Sequence, residues 1–318
     1  MDVIPTKRNV VKLASTFYDP LGIVAPAILR FKMLFQELCQ MKSRWDDLLE
    51  NSLLVKWNNL VQDLQRAASI TIPRCYYPMS LHQNCELVYK IHGFCDASAK
   101  AYGAVIYLVV MSHSTRTIRF LVSKTSQRVT PVSGMTIPRL ELLSALVLAR
   151  LIRTVKEALK FEITIDETYC WSDSRVALAW IKGVKSEWKQ FVQNRVNEVR
   201  KLVPVDTWGH CPGSMNPADI ASRGMALEEL SQCSTWIDGP YWLKQSDTPD
   251  NPDVLPEEDD LSQMDLPIEC LDEMKVKAKR ELVMLTTEHE FPARIGTIMD
   301  ITDFSTRRSR LRVTAHVC

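Results

Sequence analysis

The stretch HGFCDASAKAYGAVIYL, residues 92–108, places a single acid, Asp96, between two apolar runs that are rich in β-forming residues. The run LVYKIHGFC ends directly before Asp96, and the run YGAVIYLVVM begins at Tyr102. Two such runs with a short polar connection predict neighbouring antiparallel strands. An acid at a strand end either forms a turn or caps a helix, or it lies where something positively charged binds.

The segments after residue 108 predict a layered α/β domain over residues 85–230. A third β-rich run, TIRFLVSKT, precedes the helix TIPRLELLSALVLARLIRTVKEALK, in which Thr136 is the expected cap and Pro138 lies in the first turn. The strand ETYCWSDS, the helices RVALAWIKG and EWKQFVQNRVNEVRKL, the strand DTWGHCPG and the loop-to-helix segment NPADIASRG follow. This order predicts a mixed five-stranded sheet with flanking helices.

Two different segments flank this predicted domain. Residues 27–67 have the apolar spacing of two helices, so we predict that residues 1–80 form a helical packing module. Residues 247–273 contain eleven acids and no Lys or Arg, which is too polar to form a core. We therefore predict that residues 231–318 form an acidic, largely disordered linker.

Large aromatic residues in the chain have two interpretations, core packing or base stacking. We predict packing for the aromatic residues of the N-terminal helices and for four further tryptophans, because a large aromatic near a sheet edge usually fills the core. These tryptophans are Trp171, Trp180, Trp236 and Trp242.

Composition limits the class of protein. The nine cysteines include no C-x-x-C pair, which favours reduced intracellular thiols over a disulfide framework or a zinc module. No signal peptide and no run of about 18 apolar residues is visible, so we expect an intracellular protein, cytoplasmic or nuclear, without a membrane partner. Residues 86–225 contain 19 Lys and Arg against 12 Asp and Glu, which indicates either a polyanion-binding domain or ordinary surface charge.

Four acids occupy matching positions in the predicted strand–helix order. Asp96 closes the first strand and Asp173 follows the fourth, while Glu141 lies in the early turns of one helix and Asp219 begins another. Each one alone is explained by turn formation, capping or the helix dipole. Strand ends and adjoining helix starts converge on one edge of an open α/β sheet, so together the four predict a carboxylate cluster. Such oxygen ligands suit two Mg²⁺ or Mn²⁺ ions.

The motifs FCDAS, YGAVIY, TIPRLELLSAL, CWSDSRVALAWIKG and HCPGSMNPADIASRG together resemble the RNase H domain in the polyprotein of BEL/Pao-type retrotransposons. The upstream TKRNVVKLASTFYDPLGIVAPAILRFKMLFQELC is similar to the segment that joins reverse transcriptase to RNase H in that family. WIDGPYWL and RLRVTAHV resemble the run toward integrase. The resemblance implies an RNase H-like fold, and it covers nearly the whole chain.

The resemblance also implies roles for particular residues. Asp96, Glu141, Asp173 and Asp219 match the metal-binding acids of the RNase H family, and His210 lies where the family often carries a mobile histidine. A histidine at the end of a core strand is the alternative for His210. The implied activity is two-metal hydrolysis of the RNA strand of RNA–DNA hybrids. Five polar residues near the acids are candidate contacts to the hybrid, with solvated surface as the alternative: Ser98, Lys124, Arg139, Ser174 and Asn216.

Several departures from that pattern leave alternatives open. No YxDD polymerase motif and no integrase zinc module occurs, so we expect a piece of a longer polyprotein, or a decayed copy, whose partners include the reverse transcriptase and integrase parts. One alternative is a catalytically inactive nucleic-acid-binding or scaffold module. The family label Pao retrotransposon peptidase suggests an aspartic peptidase, but neither Asp-Ser-Gly nor Asp-Thr-Gly is present.

Overall fold

Five strands form one mixed sheet in the computed structural model, which describes residues 4–64, 87–112, 115–127, 135–183, 188–245 and Glu273. The strands are β1 (Val88–Ala97), β2 (Ala101–Ser112), β3 (Thr115–Gln127), β4 (Glu167–Ser172) and β5 (Trp208–His210), in the spatial order β3-β2-β1-β4-β5. Strands β1, β2 and β3 pair antiparallel, as the short connections predict, whereas β4 pairs parallel with β1 and β5. The predicted mixed five-stranded sheet is confirmed.

Three helices precede the sheet: α1 (Lys7–Thr16), α2 (Ala25–Gln40) and α3 (Asn51–Leu64). The hydroxyl of Thr6 caps α1 by accepting from the Asn9 N–H at 3.3 Å, and Pro26 lies in the first turn of α2. Sequence periodicity predicted two helices here, and α1 is an addition. The helices share a core of buried apolar residues: Val10, Phe31, Leu34, Leu38, Leu49, Trp57 and Leu60.

Helices cover both faces of the sheet because apolar side chains alternate along its central strands. On β2, Ala104 and Ile106 face one core, and Val105 and Tyr107 face the other. The first core also contains apolar residues of α4 (Ile137–Leu159), α5 (Arg175–Lys182) and α6 (Gln190–Leu202). The second contains residues of α7 (Ala218–Arg223), α8 (Leu227–Gln232) and α9 (Ser234–Ile237).

The predicted packing role of the four tryptophans is confirmed. Two of them also show that the packed domain extends past the boundary predicted at residue 230. Trp171, Trp180, Trp236 and Trp242 are all buried. Trp236 lies on α9 and Trp242 in the following short helix, Tyr241–Lys244, and both belong to the second core. The packed domain therefore continues to residue 245 at least, so the linker prediction for residues 231–318 does not hold for 231–245. The remainder of that range, apart from Glu273, lies outside the described residues.

The N-terminal helices pack directly against the sheet and α8. Gly22 has a φ of +73°, and a Cβ added there would lie 2.2 Å from the backbone oxygen of Ser123 on β3, so only glycine fits this approach. The Ser123 hydroxyl donates to the Gly22 carbonyl at 2.6 Å, and the Trp236 indole donates to the Ile23 carbonyl at 2.9 Å. The predicted boundary between residues 80 and 85 lies outside the described residues.

A buried carboxylate on α3 strengthens this junction. Asp63 accepts from the N–H of Leu227 at 2.9 and 3.0 Å and from the N–H of Glu228 at 3.4 Å, so it caps α8 from a distant part of the sequence. Arg30 on α2 donates to the same carboxylate at 2.9 Å. Helices α2, α3 and α8 are thus held at one point.

Among the described residues, no helix combines the length and apolar character needed to cross a membrane.

Candidate functional site

Asp96 and Asp173 lie side by side at one end of the sheet. Strands β1 and β4 are parallel, and Cys95 pairs with Ser172, so the next residue of each chain segment is one of the two acids. Asp96 is 4% exposed, and Asp173 is partly buried. The two strand ends therefore meet as the sequence predicts.

Helix α4 brings Glu141 to the same end of the sheet. Glu141 lies in the second turn of α4, which begins at Ile137 after Thr136; the Thr136 side chain makes no capping hydrogen bond. The Ser174 hydroxyl donates to the Glu141 carboxylate and accepts from the Ala177 N–H at 3.1 Å. Ser174 thus caps α5 and holds the glutamate with one side chain.

Helix α7 carries Asp219. Hydrogen bonds at the start and at the end of this helix connect it to the segment at the end of β1. The Asn216 amide donates to the Cys95 carbonyl at 3.0 Å, and its oxygen accepts from the Ala218 N–H at 3.0 Å. At the other end, the Ser98 hydroxyl donates to the Ser222 carbonyl at 2.8 Å. These contacts fix the first turn of α7 beside Asp96.

Two side chains of α7 bond to the acids of the cluster. The Ser222 hydroxyl donates to the Asp96 carboxylate, and Ser222 itself is fully buried. Arg223 donates to the Asp219 carboxylate at 2.5 Å across one helical turn. A hydroxyl donor therefore contacts Asp96, and a cation contacts Asp219.

Burial and mutual repulsion favour the protonated acids. The pKa of Asp96 is raised to about 7; burial is the main cause, the charges of Asp173 and Asp219 act in the same direction, and the Ser222 hydroxyl opposes them. Burial is also the main cause that raises the pKa of Asp173, followed by the charge of Glu141. The pKa of Glu141 is raised by burial and by Asp96, against the Ser174 hydroxyl. A nearby cation would reverse these effects.

The donor set fits a hard divalent cation. Four carboxylates supply only oxygen ligands, and the buried Oδ1 of Asp173 has no hydrogen-bond partner within the described part of the chain. Across that same part, no three His, Cys, Asp or Glu side chains are already arranged to hold one ion. The acids are thus close enough to shift one another's pKa, but no three of the described ones are arranged around a single ion position.

The remaining predicted site residues lie at different distances from this cluster. His210 ends β5 and pairs with Ser172, which places it at the same end of the sheet as the acids. Lys124 lies exposed on β3. Arg139, in the first turn of α4, binds Glu273 through two hydrogen bonds of 2.7 and 3.1 Å. The role of His210 in protonation or product release stays a prediction, and so do the hybrid contacts of Lys124, Arg139, Ser98, Ser174 and Asn216.

Sequence reasoning did not select Ser222 or Arg223. The spacing of Asp219 and Arg223, four residues apart in NPADIASRG, is a recognisable signal for an ion pair on a helix. The contact between Ser222 and Asp96 joins residues 126 positions apart, and no spacing pattern indicates it.

Comparison with solved structures gives low similarity to ribonucleases H. RNase H1 from Halobacterium salinarum is 16% identical, with 44% of this chain and 98% of that chain covered and a TM-score of 0.29. LC11-RNase H1, solved in complex with an RNA/DNA hybrid, is 15% identical over 45% of this chain and 99% of its own, with a TM-score of 0.28. The protease–reverse transcriptase of prototype foamy virus is 12% identical over 68% of this chain and 33% of its own, with a TM-score of 0.20. These values are too low to support a functional argument.

No curated protein matches the chain. A family model does match: the Pao retrotransposon-like RNaseH-like domain aligns with residues 6–174, which is more than half of the sequence. The matched region runs from the N-terminal helices through Asp96, Glu141 and Asp173. The sheet order, the acids at its end and this match lead to one conclusion. The chain belongs to the Pao retrotransposon-like RNaseH-like domain family.

Proposed function

We propose that this protein is a ribonuclease that hydrolyses the RNA strand of an RNA–DNA hybrid. The observation that carries the proposal is the meeting of Asp96 and Asp173 at the ends of two parallel strands, with Glu141 and Asp219 brought there by α4 and α7. Burial and mutual charge raise the pKa of Asp96, Asp173 and Glu141, as expected where a cation is needed to offset acids.

The four acids would hold two Mg²⁺ or Mn²⁺ ions. When bound, such ions lower the pKa of an attacking water and stabilise the departing 3′ oxygen of a phosphodiester. The protein's own hydroxyls prepare the ligands: Ser222 holds Asp96, and Ser174 holds Glu141. His210 lies at the same end of the sheet, and we propose that it assists protonation or product release.

The substrate and partners follow from the same proposal. Selection of a hybrid would rest on its shape and on contacts to 2′-hydroxyls in the wide minor groove, rather than on base edges. Among the candidate contacts, Lys124 has an exposed cationic side chain, which is available to a phosphate in solution. The reverse transcriptase and integrase parts of the same polyprotein are the proposed partners, within the cytoplasm or nucleus.

A non-catalytic scaffold is the second candidate function. Two observations favour it: Asp219 is bonded to Arg223, and within the described residues no three potential ligands are arranged to hold one ion. Such a module would bind a hybrid without cutting it under any ion condition.

Cleavage of a labelled RNA–DNA hybrid separates these functions. We expect cutting with Mg²⁺ or Mn²⁺, none with chelator, and none by the Asp96→Asn variant. Asp206→Asn is the matched control, because Asp206 is an exposed aspartate in the turn that leads into the opposite end of β5. Hybrid binding without cutting by the parent protein in both ions would establish the scaffold instead, and equal turnover by Asp96→Asn would exclude the proposed site.

A further inference from the structure

A groove of about 550 Å³ lies where the N-terminal helices meet the end of α7. Helices α2 and α3 form one wall, and the turn after β1 together with the end of α7 forms the other. Four basic side chains and one acidic side chain line it: Arg30, Lys56, Lys100, Arg223 and Glu37. The charges of the lining are therefore predominantly positive.

Three of the four cations of this groove are accessible or held only by weak pairs. Lys100 is exposed and forms no ion pair within the part of the chain that the structure describes. Lys56 contacts Glu37 at 2.7 Å, with side chains 50% and 40% exposed, and Arg223 is itself 68% exposed. Ion pairs between exposed side chains add little stability, so exchange of a carboxylate for a phosphate costs little.

The fourth cation has a structural role. Arg30 donates to the buried Asp63, the carboxylate that also caps α8. This contact fixes the α2 wall of the groove relative to the end of α7.

The groove is continuous with the carboxylate cluster. Arg223 lines the groove and donates to Asp219. Lys100 lies two residues after Ser98, and the Ser98 hydroxyl donates to the Ser222 carbonyl. The Ser222 side chain in turn donates to Asp96. A polyanion that extends from the acids into the groove would therefore contact Arg223 and Lys100.

We propose that this groove binds the sugar–phosphate backbone of nucleic acid beside the carboxylate cluster, so that the N-terminal helices form part of the substrate-binding surface. The inference rests on the proposed function for the identity of the polyanion. The volume lies within the range of about 300–1,000 Å³ that is usual for small-ligand sites, which suits a short stretch of backbone rather than a whole duplex. The Asn59 side chain adds an amide that can donate to phosphate or sugar oxygens.

Salt-dependent binding tests the groove. The affinity for a labelled RNA–DNA hybrid is measured in chelator across a salt series, in the Asp96→Asn background, so that neither metal nor cleavage enters the result. Lys56→Gln and Lys100→Gln are compared with Lys160→Gln, a control at the far end of the long helix α4. Thermal unfolding of each variant confirms that it is folded.

Each groove lysine should contribute one phosphate contact. Its loss should weaken binding about fivefold at about 0.15 M salt and should reduce the slope of log affinity against log salt by about one, while Lys160→Gln changes neither. Equal affinities and slopes for all variants would overturn the inference, as would an equal loss in the control. Failure of the parent to bind hybrid at low salt would overturn both proposals. If the groove lysines contribute salt-dependent binding but the unsubstituted protein does not cleave hybrid when metal is supplied, only the proposed ribonuclease activity is overturned.

Discussion

Asp96→Asn should stabilise the metal-free protein, although it should abolish cleavage. Burial raises the pKa of Asp96 from 3.8 to about 7, so between about pH 4 and pH 7 the folded protein retains a proton that the unfolded chain releases. Stability is therefore lost as the pH rises through this window, and the full penalty is present above about pH 7. At about 1.4 kcal/mol per pKa unit, the penalty is about 4 kcal/mol.

The asparagine removes this penalty because it carries no charge and still offers an oxygen to the Ser222 hydroxyl. The variant should therefore gain a few kcal/mol in free energy of unfolding at pH 8 in chelator, and almost nothing at pH 4. Urea unfolding at both pH values measures the difference, with Asp206→Asn as the exposed control. Mg²⁺ should then stabilise the parent more than the variant, since binding to the folded state adds stability. A variant that is less stable than the parent at pH 8, or whose gain does not depend on pH, would refute the reasoning.

Two further predictions concern residues that hold the site. Ser222→Ala should weaken Mn²⁺ binding and slow cleavage by about tenfold or more, because Asp96 loses the hydroxyl that orients it; calorimetry and steady-state cleavage measure this, and an unchanged metal affinity would contradict the role. Asp63→Ala should cost about 3–5 kcal/mol in free energy of unfolding, because the Arg30 guanidinium loses its partner and the first N–H groups of α8 lose their cap; urea unfolding measures this, and a loss below about 1 kcal/mol would contradict it.

The sequence was sufficient to predict that the acids meet at one end of the sheet, because strand direction alone determines which residues share that end. Residues at the carboxyl ends of parallel strands share an edge, and the register of Cys95 with Ser172 places Asp96 beside Asp173. The catalytic roles of these acids stay a proposal. The family prediction, by contrast, is confirmed by the match over residues 6–174.

Contacts between distant parts of the chain could not be predicted in this way. Periodicity describes one segment at a time, so it shows that α3 has an apolar stripe but not that Asp63 on the same helix caps α8. The boundary at residue 230 failed for a related reason. It followed from the acidity of residues 247–273, whereas the burial of Trp236 and Trp242 depends on tertiary packing.

The Asp63 contact also affects how the protein folds during synthesis. The carboxylate and the N–H of Leu227 that it caps are 164 residues apart. At translation rates of about 5–20 residues per second, roughly 10–30 s pass between the appearance of the one and of the other. During this time α8 has not been made, so the Asp63 carboxylate lacks the N–H groups that it caps in the folded protein. The N-terminal helices therefore complete their packing late, after the strands that follow them have been made, so their final docking is a step that a nascent-chain experiment could observe.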